Sequence, residues 1–290
     1  MDKAGALESV GRPRWSPWVS LAVVEPAVRV NSPIVIPLLW NWLFAWPYLE
    51  AMETPSQVND VVAAHDAMFA GNLKHYLSCG RSALTVISAA IELAGLPPPA
   101  SILNFGAGAG RVTRWLSATF GSACISACDL RAEDMDFLQQ VFGVTAWVVD
   151  RDVRVLSVSG RYDLIWLGSV ITHLSADNTL ALMTKLAGCC TDGGLIIASF
   201  HGRRVIERQE TSDYRYIGPE AWKLIKAGLS ATGYGYADYT PNSGYGISVA
   251  DPRWFLELSR SLGLRLVMLG EQLWDGHHDV VAMQYARARG

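Results

Sequence analysis

The sequence predicts an α/β fold with a mostly parallel, seven-stranded sheet, helices on both faces and a reversed strand at its end. Three observations carry this expectation. Short apolar runs alternate with helix-period segments from residue 101 onward, the pattern of strands joined by crossover helices. The runs in "YDLIWLGSV" and "GGLIIASF" are almost continuously hydrophobic, as parallel strands covered on both faces must be. The last two, "LRLVMLGEQLW" and "HDVVAMQYA", are joined by "DGH" alone. That link is too short for a crossover, so these strands are antiparallel neighbours.

The elements follow in order. "VNDVVAAHDAMF" (58–69) predicts a short amphipathic helix. "LKHYLSCGRSALTVISAAIELAG" predicts a longer one that stops at Gly95, before three prolines. Strands are expected at 101–105, 123–129, 145–150, 163–168 and 194–199, and helices near 110–119, 132–142, 178–188 and 252–262. Right-handed crossovers follow from this alternation. Residues 203–248 interrupt it with "GYGYADYTPNSGYGIS".

The first 57 residues differ from the rest. Residues 30–49 carry no charge, a length that could span a bilayer. Pro33, Pro37 and Pro47 would break such a helix repeatedly. Trp15, Trp18, Trp40, Trp42 and Trp46 crowd the same stretch. It reads as a helical or irregular arm packed on the main domain or on a second copy in a homodimer. Peripheral membrane contact is the alternative, because tryptophan favours headgroup depth.

Composition narrows the function. Half of the residues are hydrophobic and 18% are charged, which is globular and not disordered. Net charge is −3, without a lysine or arginine run, so nucleic acid is not an expected partner. The five cysteines, Cys79, Cys124, Cys128, Cys189 and Cys190, lack the paired spacing of a zinc site. They read as reduced thiols of a cytoplasmic protein, and no metal is expected.

Chemistry concentrates in "ILNFGAGAGRVTRWL" (102–116), a strand, a glycine turn and a helix start. Small residues let backbone approach a ligand, and a helix N-terminus offers free N–H groups. Gly106, Gly108 and Gly110 are spaced G-x-G-x-G, and Arg111 stands where a dinucleotide loop places its third glycine. Hydride-transfer chemistry thereby loses its signature. The next strand ends in Asp129, placed to accept from two ribose hydroxyls or to cap the following helix. Asp150 follows the third strand, where it could reach an adenine amino group.

On "ILNFGAGAGR", the acid in "CDL", "YDLIWLGSVITHL", the strand after "DGG" and the reversed last strand, residues 58–287 resemble class I S-adenosylmethionine-dependent methyltransferases. Within that class, "NLKHYLSCGRSAL", "ASFHGR" and "WDGHHDVV" look closest to bacterial enzymes associated with glycan or cell-envelope pathways. The resemblance implies a Rossmann-like domain over 58–290, S-adenosyl-L-methionine as cofactor, and a small-molecule or glycan-linked acceptor. It implies cofactor contacts at Tyr76, Gly80, Arg81, Asn104, Gly106, Gly108, Gly110, Arg111, Asp129, Leu130, Asp150 and Ser169. Asn104 departs from the acidic residue usual ahead of the first glycine. It keeps a carbonyl acceptor without the charge, so a cofactor-binding protein without catalysis, docking a partner through its arm, is the second expectation.

His173 and His201 follow the fourth and fifth strands, whose carboxyl ends open onto the ligand crevice. Either is a candidate base for a hydroxyl acceptor. Residues 203–248 are expected to cover the acceptor, with Tyr214, Tyr216, Tyr234 and Tyr236 offering flat faces to it and with His277 near the same side.

Overall fold

The computed structural model describes residues 58–120, 124–212 and 217–285. The tryptophan-rich arm, Tyr214 and Tyr216 lie outside the described residues.

Helix α1 (Leu73–Ala94) starts where the Asn72 side chain accepts from the His75 N–H and stops at left-handed Gly95, whose N–H returns to Glu92. It buries Cys79, Ala83, Ile87, Ala90 and Ile91 along one face, spaced as an amphipathic helix requires. Among the described residues only α1 is long and apolar enough to cross a membrane, and half of its apolar window is buried inside the protein.

The βα units then succeed one another. They comprise β1 (Ser101–Phe105), α2 (Thr113–Phe120), β2 (Cys124–Asp129), α3 (Ala132–Phe142), β3 (Thr145–Val148), β4 (Tyr162–Leu167), α4 (Ala176–Gly188) and β5 (Cys190–Phe200). A single 3₁₀ turn, Ile171–His173, lies between β4 and α4. After them come α5 (Arg203–Thr211), α6 (Pro219–Thr232), the hairpin β6 (Tyr234–Asp238) and β7 (Gly246–Ala250), then α7 (Pro252–Ser261), β8 (Leu264–Trp274) and β9 (His278–Tyr285).

The main sheet has the order β3-β2-β1-β4-β5-β9-β8. Strands β1 to β5 run parallel, while β9 lies antiparallel to both β5 and β8. Alternate residues feed opposite cores. Ile102, Ala127, Leu164, Ile197 and Ala282 pack toward α1 and α2. Leu103, Cys128, Ile165, Ile196 and Val281 pack toward α4 and α7. Each such buried Leu or Ile contributes roughly 1.5–3 kcal/mol. The strand order reverses between β1 and β4, which opens a crevice at their carboxyl ends.

Two expectations change. Residues 58–69 form turns and extended chain, not a helix. The side chains of Asn59 and Asp66 accept from the N–H groups of Val61 and Met68, and such local turns compete with helical hydrogen bonding. Residues 203–248, expected as an interruption of the alternation, build in their described part α5, α6 and the β6–β7 hairpin around a third small core of Val205, Ile225 and Ile247. Two of the glycines there serve packing: a Cβ on Gly235 would strike the Ile225 backbone, and one on Gly246 the Ala237 backbone.

Candidate active site

The loop after β1 is held by its neighbour strand. The N–H groups of Gly106 and Ala107 both donate to the Cys128 carbonyl, at 2.8 and 3.1 Å. Asp129 then binds the loop with one carboxylate oxygen, accepting from Gly108 N–H at 2.7 Å. Its other oxygen accepts from the Leu130 N–H at 2.6 Å. The loop and its acid are thus one rigid unit.

This unit forms one side of a cavity of about 580 Å³ at the point where the strand order reverses. The volume suits a drug-sized ligand or cofactor. The cavity brings together Asn104, Gly106, Gly108, Arg111, Asp129 and Leu130 on the loop side. Asp150, Ser169 and His173 reach it from the ends of β3 and β4. Ser169 sits at φ 61, its N–H donating to Ser199 Oγ at 2.8 Å. Asn104 is buried and donates through its amide nitrogen to Thr113 Oγ1 at 2.9 Å. The amide oxygen is its remaining acceptor.

Other expected contacts fall elsewhere. Gly80 lies off the cavity in the α1–α2 contact, where a Cβ would meet Trp115 Cδ1 at 2.6 Å. Gly110, at φ +91, packs against Leu138 and Phe142 of α3. Arg81 is exposed and lies off the cavity. Tyr76 is buried behind it and donates to Asp66 Oδ2 at 2.6 Å. Burial and that bond push its phenol above the usual tyrosine range.

On the acceptor side the corrections are larger. Tyr234 is core, not platform: its hydroxyl meets Thr179 Oγ1 at 2.9 Å and the Leu174 carbonyl at 2.9 Å. It anchors the 3₁₀ turn that carries His173. Tyr236 donates to Asp238 at 2.5 Å and does not line the cavity. His201 is almost fully buried with Nδ1 3.0 Å from the Ser248 carbonyl, off the cavity, and burial lowers its pKa to about 3. His277 lies beside it, 5.5 Å between ring centres, also off the cavity.

His173 is therefore the histidine that faces the cavity. Its Nδ1 lies 3.0 Å from the Gly246 carbonyl and 3.2 Å from Tyr239 Oη. A carbonyl only accepts, so Nδ1 carries the proton and Nε2 keeps its lone pair. Burial lowers its pKa below the ordinary histidine value. Tyr245 stacks on the ring at 4.9 Å and lines the cavity too.

Three contributors were not legible beforehand. Asp66 and Trp274 line the cavity, with Arg111 resting 5.6 Å over the Trp274 ring. Arg114 does not touch the cavity but ties it together, donating to the carbonyls of Gly110, Asn59 and Val61 at 3.1, 2.6 and 3.2 Å. The only signal of this was a charged residue on the buried face of a helix whose neighbours are apolar.

Comparison with known proteins agrees with this construction. Residues 102–194 match the family model described as "Methyltransferase domain". No curated protein matches the chain. Among solved structures, Streptomyces venezuelae DesVI is similar at TM-score 0.53 and 12% identity, over 77% of this chain and 98% of that one. Burkholderia thailandensis 1,6-didemethyltoxoflavin-N1-methyltransferase, solved with S-adenosylhomocysteine, is similar at TM-score 0.49 and 15% identity, over 90% and 94%. A TehB-like S-adenosylmethionine-dependent methyltransferase from Corynebacterium glutamicum follows at 0.42 and 17%, over 86% and 98%.

Fold, loop and family match point to one class: residues 102–194 carry a methyltransferase domain on a Rossmann-like fold, a domain whose expected methyl donor is S-adenosylmethionine. The residues present fit that cofactor. Asp129 offers a carboxylate at the edge of the loop for ribose hydroxyls, and Leu130, Val153 and Leu156 add apolar lining beside Asp150. Arg111 can pair a ligand carboxylate. Asp66 brings to the same cavity a carboxylate, the charge that Asn104 lacks.

Proposed function

We propose that this enzyme methylates a hydroxyl group of a small-molecule or glycan-linked acceptor, with His173 as its general base. The observation that carries this reading is the His173 ring, held by the Gly246 carbonyl and facing the same cavity as the glycine loop and Asp129. When bound, S-adenosylmethionine supplies an activated methyl group, so the hard chemistry is the cofactor's.

The chain's residues have simpler tasks. Tyr245 and Trp274 line the same cavity, and aromatic walls suit a flat ring or the apolar face of a sugar. Holding the acceptor in line is worth about 7–11 kcal/mol where alignment is close. His173 Nε2 takes the hydroxyl proton, while Gly246 fixes the tautomer that leaves this nitrogen unprotonated. The lowered pKa keeps the ring neutral at pH values where an exposed histidine would be charged.

His173→Gln is expected to lower kcat by roughly 10²–10⁴-fold while leaving S-adenosylhomocysteine affinity unchanged by calorimetry. The wild-type rate should fall only as pH drops below the ordinary histidine range. The assay is S-adenosylhomocysteine release with a panel of hydroxyl, amine and thiol acceptors. Turnover confined to amines, or a His173→Gln rate equal to wild type, would remove the base assignment.

A further inference from the structure

A second histidine group lies beside the cavity and takes no part in the reading above. His201, His277 and His278 each offer one ring nitrogen, and these three atoms all lie within 4.8 Å of one another. Ring centres are 5.0 Å apart for His201 and His278 and 4.8 Å for His277 and His278. The topology makes this convergence, since β5 ends at Phe200 and β9 begins at His278, and these ends are paired antiparallel.

We propose that His201, His277 and His278 form a binding site for one borderline transition-metal ion of the Zn²⁺ class.

Three features support it. His201 Nδ1 faces the Ser248 carbonyl at 3.0 Å, so that nitrogen carries the proton and Nε2 becomes the ligand atom. Histidine ligands are commonly held this way, by a carbonyl on the ring's other nitrogen. The His278 ring is held in place by Ser199 Oγ, 3.2 Å from its Nδ1. The three rings pack against one another, and His201 among them is almost fully buried.

Zinc–nitrogen bonds of about 2.0–2.1 Å place tetrahedral ligand atoms about 3.3 Å apart, so the widest pair must close by about 1.5 Å. Side-chain rotation supplies that. The Arg208 guanidinium, 3.4 Å from His277 Nδ1, has to turn aside when an ion enters. Three imidazoles leave the fourth position of a tetrahedral ion open. No carboxylate belongs to the trio, so an anionic oxygen is the fourth ligand the charge balance favours.

The site stands apart from the cofactor but adjoins its cavity. Ser199 Oγ accepts from the N–H of cavity-lining Ser169 and meets His278 on its other side. Trp274 lines the cavity, with its ring centre 5.0 Å from that of His278.

The test loads the full chain with Co²⁺ or Zn²⁺ after chelator treatment. One ion per chain by elemental analysis is expected, with visible Co²⁺ bands of tetrahedral nitrogen ligation that disappear on adding EDTA. His277→Gln, the least buried of the trio, should weaken uptake at least tenfold while leaving S-adenosylhomocysteine binding intact. Uptake well below one ion per chain, or equal uptake by wild type and His277→Gln, would overturn the site. Loss of S-adenosylhomocysteine binding in the wild type would instead strike the methyltransferase reading, so the two failures are separable.

Discussion

Asp163 stands at the end of the sheet away from the cavity and joins three segments by itself. Its Oδ2 accepts from the N–H groups of Ala100 and Ser101 at 2.9 and 3.1 Å, and its Oδ1 accepts from Thr191 Oγ1 at 2.7 Å. Partial burial would raise the carboxyl's pKa, but these hydrogen bonds outweigh it and the net shift is downward. A carboxylate more acidic in the folded than in the unfolded chain stabilises the fold above its unfolded pKa, near 4. That stabilisation disappears as pH falls through the folded value. Asp163→Asn is expected to cost about 1–3 kcal/mol in urea denaturation at pH 7, and the deficit should shrink on acidification. A second residue test concerns the loop: Asp129→Ala removes acceptors from Gly108 and Leu130 as well as the ribose contact. Calorimetry should show at least a tenfold weaker S-adenosylhomocysteine affinity, and intact binding would refute the assignment.

At the scale of elements, the segment 58–72 owes its course to helix α2. Arg114 projects from that helix and collects the carbonyls of Asn59 and Val61, while its guanidinium rests 5.0 Å from the Tyr76 ring. Tyr76 in turn holds Asp66, which lines the cavity. A chain of contacts thus runs from a buried arginine to a carboxylate on the cavity wall. Arg114→Met leaves the carbonyls without their donor, at about 1–3 kcal/mol. Hydrogen exchange should rise across 58–72, and cofactor affinity should fall although Arg114 touches no ligand. Unchanged exchange would separate the segment from α2. The turn between β1 and α2 is equally constrained at Gly110, whose positive φ and tight approach to Leu138 (2.6 Å from an added Cβ) leave no room for a side chain.

Across the whole molecule, the cavity exists because β1 and β4 are neighbours whose following connections leave toward opposite faces of the sheet. The loops that meet there come from residues far apart in sequence, 66, 106–111, 129–130, 150, 169–173 and 244–245. A ligand that touches all of them binds only the folded chain. S-adenosylhomocysteine at a hundredfold its Kd should therefore add about 2.7 kcal/mol, which thermal melting would register as a rise of several degrees. Nicotinamide cofactors should leave the melting temperature unchanged, because Arg111 occupies the place of the dinucleotide loop's third glycine.

The sequence by itself determined what is periodic or local. Alternating apolar runs, the Gly95 stop, the glycine spacing and the brevity of "DGH" are each short-range facts, and backbone geometry leaves few ways to satisfy them. They were enough for the sheet, its reversed strand, the loop and the acid at Asp129. The tertiary structure decided which histidine faces the cavity and which lies buried beside it, for His173 and His201 both follow parallel strands and look alike in sequence. It also decided that Tyr234 is an anchor, that Asp66 joins Asn104 in the cavity lining, and that Arg114 gathers a distant segment. Those outcomes depend on side chains brought together across tens to hundreds of residues, and packing between elements is what sets them.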